Sequence, residues 1–291
     1  MNYIIATDSG CDLCPSYLEA HNIELFSLTS RIGELEIKDD LGKSYSHTDF
    51  YNKIRSGSLP TTSQVNAFTF KERFLEWAKQ DIPVLYIAFS SALSGTCQSA
   101  LMAREEVLEM YPQAKITVID SLCASGGLGL LVYQTLAYLK KGHSLEEAIL
   151  FAEQQKQKIM HVFTVDDLNH LQRGGRISQA SAFVGTLLQV KPVLYVNDEG
   201  KLIPYQKCRG RKKSIKTLIE HYKTSCTDKE VPVMITHSDC LQEANALATA
   251  LKEECGAKEV LISPIGVVIG SHTGANTLAV CFYSDHKSLS K

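Results

Sequence analysis

Pro83-Val84-Leu85-Tyr86-Ile87-Ala88-Phe89 is followed, after Ser90-Ser91-Ala92-Leu93, by Ser94-Gly95-Thr96 and then by Cys97 to Met110. The first segment is apolar and β-rich and reads as a buried strand. The last is a helical segment with Glu105 and Glu106 on its polar side. Two hydroxyls and a glycine thus stand where a strand ends and a helix begins. The first N–H groups of a helix have no internal partner there, and the helix dipole favours an anion. An isolated Ser-Gly-Thr reads as an ordinary N-cap. In this setting it is a candidate site for a carboxylate or phosphate held without lysine.

The flanking sequence alternates strands and helices. Toward the N-terminus, residues 2–7 read as a strand and 13–20 as a helix with Pro15 in its first turn. Segments 24–30 and 34–38 read as extended, and 47–55 as a helix ended by Gly57. Leu59 to Gln64 reads as a loop, and 68–79 as an amphipathic helix with Phe70, Phe74 and Trp77 on one face. A strand over 115–119 follows, then helices over 126–140 and 145–159; Ser144 and Glu147 have capping-box spacing. The alternation predicts a three-layer α/β domain over residues 1–159 with a mostly parallel sheet. Its ligand contacts should gather at the carboxyl ends of the strands, where Asp8-Ser9, Ser94 and Asp120-Ser121 fall. Asp8 and Asp120 are expected to brace loops by accepting backbone N–H groups.

Residues 160–291 have another rhythm. Strands are expected over 160–165, 192–196 and 202–207, the last two joined by the hairpin signal Asn197-Asp198-Glu199-Gly200. Helices over 212–223 and 241–254 and strands over 231–236, 258–263 and 277–283 complete an α+β second domain.

With 291 residues, 44% hydrophobic and 21% charged, the chain has an ordinary globular composition. A net charge of −2 gives no overall pull toward nucleic acid or anionic membrane. The start of the chain lacks the pattern of a signal peptide, and no run approaches the roughly 20 apolar residues of a membrane span. A cytoplasmic protein without stable membrane insertion is expected. Nine cysteines, an odd number, suit reduced thiols better than a disulfide framework. Histidine pairs at metal-ligand spacing are absent and no zinc-ligand set is found, so neither metal nor cofactor is expected.

Other chemistries find little footing. Cys11-Asp12-Leu13-Cys14 has dithiol spacing after a strand, and a thiol-disulfide oxidoreductase using Cys11 and Cys14 is the alternative reading. The Trp-Cys-Gly flank of such enzymes is missing. No Gly-x-Ser-x-Gly elbow, Walker A loop or Gly-x-Gly-x-x-Gly fingerprint occurs; Gly126-Gly127-Leu128-Gly129 lacks the spacing. Lys207-Cys208-Arg209-Gly210-Arg211-Lys212-Lys213 is densely basic but has no interleaved aromatics, which argues against nucleic acid.

Hydroxyl-rich loops punctuate the chain: Thr61-Thr62-Ser63-Gln64, Ser90-Ser91, Ser94-Gly95-Thr96, Asp120-Ser121 and Gly270-Ser271-His272-Thr273-Gly274. Added to these are Thr7-Asp8-Ser9 with Asp12-Leu13, the stretch from Leu168 to Gly174-Gly175-Arg176-Ile177-Ser178, Lys191-Pro192, and Lys207-Cys208-Arg209 before Lys212-Lys213. This ordered set, which spans the whole chain, resembles the DegV family of bacterial fatty-acid-binding proteins. The resemblance implies one long-chain fatty acid, such as palmitate, in a tunnel between the two domains. It implies that a separate fatty acid kinase subunit phosphorylates the carboxylate, so that the chain itself is not an enzyme. Carried over by position, Thr62 and Ser94 resemble the hydroxyls that bond the carboxylate, with Gly95, Thr96, His272 and Thr273 beside them. Arg209 resembles a basic residue near the head group that faces phosphate or the kinase. The chain departs from the commoner family pattern at Cys97 and Ala275, which touches acyl-chain preference more than carboxylate binding. Arg176 reads equally well as a solvated charge in a turn.

Magnitudes divide the labour. Burying about fourteen methylenes at about 0.8 kcal/mol each contributes roughly 11 kcal/mol before association costs. A hydrogen bond to a charged group contributes about 1.5–3 kcal/mol. The tail should set affinity, and the head-group donors the register.

Overall fold

Strand β6 (Val84–Ala88) lies inside a parallel sheet in the computed structural model, which describes residues 3–177 and 190–289. Its neighbours are β1 (Ile4–Asp8) and β7 (Ile116–Asp120), and β2 (Glu24–Phe26) adds to β1, giving the order β2-β1-β6-β7. Both faces of β6 are covered, which is why it reads as a continuous apolar run. Leu85 and Ile87 join a core with α1 (Pro15–Ala20), α5 (Gly126–Lys140) and α6 (Leu145–Gln155). Val84, Tyr86 and Ala88 point the other way, onto α2 (His47–Arg55), α3 (Ala67–Lys79) and α4 (Thr96–Met110). The three-layer arrangement is as expected.

A small antiparallel sheet sits beside it, formed by β3 (Thr29–Ile32), β4 (Leu35–Lys38) and β5 (Thr61–Ser63) in the order β4-β3-β5. The second half builds a six-stranded sheet from β8 (Ile159–Thr164), β9 (Val190–Val196), β10 (Leu202–Arg209), β11 (Val233–His237), β12 (Val260–Pro264) and β13 (Leu278–Tyr283). Its order is β10-β9-β8-β13-β11-β12, antiparallel except for β11 with β12. Helices α8 (Arg211–Ser225) and α9 (Leu241–Glu253) pack into the core on one face. Two short helices, α7 (Asn169–Arg173) and α10 (Val267–Thr273), touch one another.

Helix α5 lies between the parallel and six-stranded sheets, packing on β8, β11 and β13 as well as near β6. Its glycines make that approach possible. A Cβ at Gly129 would stand 2.5 Å from the Cys11 carbonyl oxygen, and one at Gly127 would overlap the His161 ring. The Gly-Gly-Leu-Gly run is thus a packing device rather than a phosphate loop.

Several sequence expectations are corrected. The loop over 59–64 contains strand β5, whose polar residues have no hydrophobic period and are ordered by pairing with β3. The extended segment 24–30 divides between β2 and β3, which belong to different sheets. Helix 145–159 stops at Gln155, with a 3-10 turn over Lys156–Lys158 before β8 begins. The loop Gly270 to Gly274 is largely the end of helix α10, closed by Gly274 at φ 77°. Gly270 is there because the Tyr51 ring lies where a side chain would begin. Remaining boundaries move by no more than two residues. Asn2 and Ser178 lie outside the described residues. We propose 159/160 as the domain division, since β8 opens the six-stranded sheet there; α10 then reaches back from the second domain onto α2 and β3 of the first.

Among the described residues no helix is long and apolar enough to cross a membrane, and no cluster of side chains could hold a metal ion.

Candidate functional site

The turn after β6 is built by serines. Ser90 donates its hydroxyl to the Gly200 carbonyl at 3.0 Å, tying the turn to the β9–β10 hairpin of the second half. The Ser94 N–H donates to the Ser90 carbonyl, and the Thr96 N–H donates to Ser94 Oγ at 3.2 Å. Ser94 Oγ also lies 2.9 Å from Thr96 Oγ1. With the Thr96 N–H already supplying one donor, the Ser94 proton is left for Thr96 or for a ligand. Gly95 precedes α4, and the Gln64 amide lies directly over it, donating to the Gly95 carbonyl at 3.3 Å and to Ser99 Oγ at 2.8 Å.

Strand β5 delivers Thr62 opposite Ser30 on β3. Thr62 Oγ1 lies 2.7 Å from His272 Nε2 on α10. That helix is anchored by a 2.8 Å Ser30–Ser271 hydroxyl contact, and the Tyr51 hydroxyl donates to the Ile265 carbonyl just before it. Burial, with Arg176 and His170 adding to it, pulls the His272 pKa down to about 4, so the ring is neutral at pH 7. Its Nδ1 is buried and has no hydrogen-bond partner among the described residues. Arg176 Nε donates to the Leu93 carbonyl at 3.0 Å, which brings a guanidinium to the same turn. Burial lowers the Arg176 pKa, but the group remains a cation.

These residues line one end of a single cavity between the two halves. Thr62, Gln64, Ser94, Gly95, His272, Thr273 and Arg176 all contribute to its wall. The remainder is largely apolar, with Leu28, Phe89, Phe163, Leu202 and Val268 among its lining. Counted out to its mouth, open solvent included, the space is about 950 Å³. The arrangement can hold an apolar body with an anionic end against neutral hydroxyls and one guanidinium.

Two sequence candidates lie elsewhere. Thr96 is fully buried outside the lining and reaches the cavity only through Ser94. Arg209 is exposed at the end of β10 and is not a lining residue, whereas Arg176 is. The dithiol alternative gains no support. Cys11 is fully buried, with desolvation pushing its thiol well above the ordinary range, and all nine cysteines are free.

Asp8 accepts from the Gly10 and Phe89 N–H groups and from the Tyr86 hydroxyl. Asp120 accepts from the Ser91 and Leu122 N–H groups. Two further carboxylates have a role that the sequence does not show. Asp12 accepts from the Gly266 N–H at 2.8 Å and the Ser125 hydroxyl at 2.5 Å, and Asp39 from the Val268 N–H at 3.0 Å. Both therefore hold the start of α10, the helix that carries His272. Burial without a cation raises their pKa values, Asp12 to about 8 and Asp39 to about 7.

Comparison with known proteins fits this geometry. A DegV domain-containing protein of Clostridium perfringens is 47% identical over 286 residues, covering 98% of both chains. A fatty acid-binding protein of Thermotoga maritima is 33% identical over 283 residues, covering 96% of each. A Thermus thermophilus structure described as fatty acid binding of a DegV family protein superposes with a TM-score of 0.86 at 30% identity, covering 98% of this chain and 100% of that one. The family model described as "Uncharacterised protein, DegV family" matches residues 3–285. With the parallel and six-stranded sheets, the cavity between them and this match over nearly its whole length, the chain belongs to the DegV family.

Proposed function

We propose that this protein binds a long-chain fatty acid in the cavity between its two halves, with the carboxylate at Thr62 and Ser94 and the tail among the apolar walls. The observation that carries the reading is a largely apolar cavity in whose wall Thr62, Ser94, His272 and Arg176 come together, Thr62 on His272 and Arg176 on the turn that carries Ser94. Neutral donors orient a carboxylate without quenching it in a bidentate arginine pair, which suits an acid that must react later. The reaction we propose is phosphorylation by a separate kinase, with this chain presenting the carboxylate and supplying no catalysis of its own. Free thiols throughout are in keeping with a cytoplasmic setting.

Native mass spectrometry of protein gently purified from fatty-acid-replete bacteria should show a bound acid. A clean ligand-free mass under those conditions would count decisively against the reading. The exposed Arg209, beside Lys212 and Lys213, is proposed to face the kinase. Arg209→Ala should reduce acyl-phosphate formation by the added kinase about tenfold, as loss of one charged contact of about 1.4 kcal/mol, with fatty-acid affinity unchanged. Equal loss of both would remove Arg209 from that role.

A further inference from the structure

Alternate positions on one strand trace the course of the cavity. Thr277, Ala279 and Cys281, at the start of and along β13, line it, as do Phe163 and His161 on β8. Ala279 pairs with Phe163 and Cys281 with His161. At the polar end, Thr277 donates to the carbonyls of Thr273 and Gly274, next to His272. At about 3.3 Å per residue, the lining runs about 13 Å along the strand from Thr277 to Cys281. The next pair on that face, Tyr283 with Ile159, is buried and absent from the lining. On this wall the cavity ends at His161 and Cys281.

His161 is a fixed part of that end. Its Nδ1 lies 3.0 Å from the Ile159 carbonyl, and its Nε2 accepts from the Ala124 N–H at 3.3 Å. A carbonyl only accepts and an amide N–H only donates, so the proton resides on Nδ1 and both ring nitrogens are committed. The ring is only 3% exposed and lies against Gly127, where a Cβ would overlap it. Burial, with Lys287 nearby, draws its pKa to about 3, so it stays neutral at any pH at which a bound carboxylate is ionised. The ring therefore offers no free donor or acceptor to a ligand. It suits a terminal methyl group.

We propose that the His161 ring is the floor of the cavity and sets the longest acyl chain the protein accepts. The inference rests on the fatty-acid reading above. Register is fixed at the head group by Thr62 and Ser94, so the distance to His161 fixes the length. One methylene too many costs about tenfold or more in a closed apolar pocket, which makes the cutoff steep.

The test loads ligand-free protein with an equimolar mixture of saturated carboxylic acids, from about twelve to about twenty-two carbons, and reads the bound lengths by native mass spectrometry. His161→Asn keeps an acceptor for the Ala124 N–H and shortens the side chain. The most abundant bound acid should lengthen by about two carbons, each worth about tenfold. His161→Phe introduces a larger ring and should shift the distribution toward shorter acids. The opposite directions keep the test decisive if one variant fails to fold, as judged by circular dichroism. An unchanged distribution in a folded variant, beside normal loading of the unsubstituted protein, overturns the floor alone. Failure of the unsubstituted protein to take up any of these acids overturns the fatty-acid reading, and the floor with it.

Discussion

Thr62→Ala combined with Ser94→Ala should weaken binding of a long-chain carboxylate about 100-fold while leaving the fold intact. Each hydroxyl can give one hydrogen bond to a charged group, worth about 1.5–3 kcal/mol. Two such bonds sum to about 3–6 kcal/mol, but they lie at the solvent mouth, where water replaces part of what is lost. A net loss of about 2.8 kcal/mol corresponds to about 100-fold in Kd. The tail contribution of roughly 11 kcal/mol is untouched, so binding persists in the variant. A fatty-acid methyl ester provides the control, because it shares the tail and lacks the charge. Titration calorimetry or fluorescent-probe displacement should show the ester binding both proteins within a few-fold. Equal losses for acid and ester would mean that the two hydroxyls act on the fold or the cavity shape rather than on the carboxylate.

How far the sequence alone leads is clear from individual elements. β6 is legible because burial on both faces demands an unbroken apolar run, and Val84 to Ala88 supplies one. β5 is not, since Thr61-Thr62-Ser63 has no periodicity and is a strand only by virtue of its ladder to β3. α10 was hidden by Gly270 and Gly274, which punctuate a sequence like a loop. One of them is required by close packing against Tyr51. At the site, Ser94 could be placed from the strand–helix junction, a local feature. The contact of Thr62 with His272 joins residues 210 positions apart and follows only from the assembled sheets. Arg176 and Arg209 both adjoin glycines, and nothing local distinguishes them. Tertiary structure does, by setting Arg176 on the Leu93 carbonyl. Asp12 stands between two cysteines in the sequence, and nothing local shows that its carboxylate fastens Gly266 across the domain division and Ser125 within the first domain.

That carboxylate governs the second large effect, a decline in stability of the ligand-free protein on the alkaline side of neutrality. Asp12 has a folded pKa of about 8, against about 3.9 for an unfolded aspartate. Between those values the folded state holds a proton that the unfolded chain has released, so stability falls as pH rises toward 8. Asp39, raised to about 7, and Asp8, raised to about 6, act in the same direction over narrower windows. Buried histidines oppose them at lower pH. His161 and His272 have folded values of about 3 and about 4, so unfolding takes up protons and stability is lost as pH falls below about 6.5. From about pH 6.5 to 8 the carboxylates act alone. Asp12 contributes about 1.5 pH units at 1.36 kcal/mol each, or about 2 kcal/mol. For a chain of this size that lowers Tm by about 4–8 °C. Asp12→Asn should abolish most of this alkaline decline. The amide oxygen can still accept from the Gly266 N–H, and the amide nitrogen can donate to Ser125 Oγ in place of the acid proton. Thermal unfolding of delipidated protein is the measurement, because bound acid would add its own stabilisation to Tm. The variant should be more stable than the unsubstituted protein at pH 8 and differ little from it near pH 6. Flat stability of the unsubstituted protein between pH 6.5 and 8 would show that water or structural relaxation already solvates Asp12, and that its charge does not strain the hold on α10.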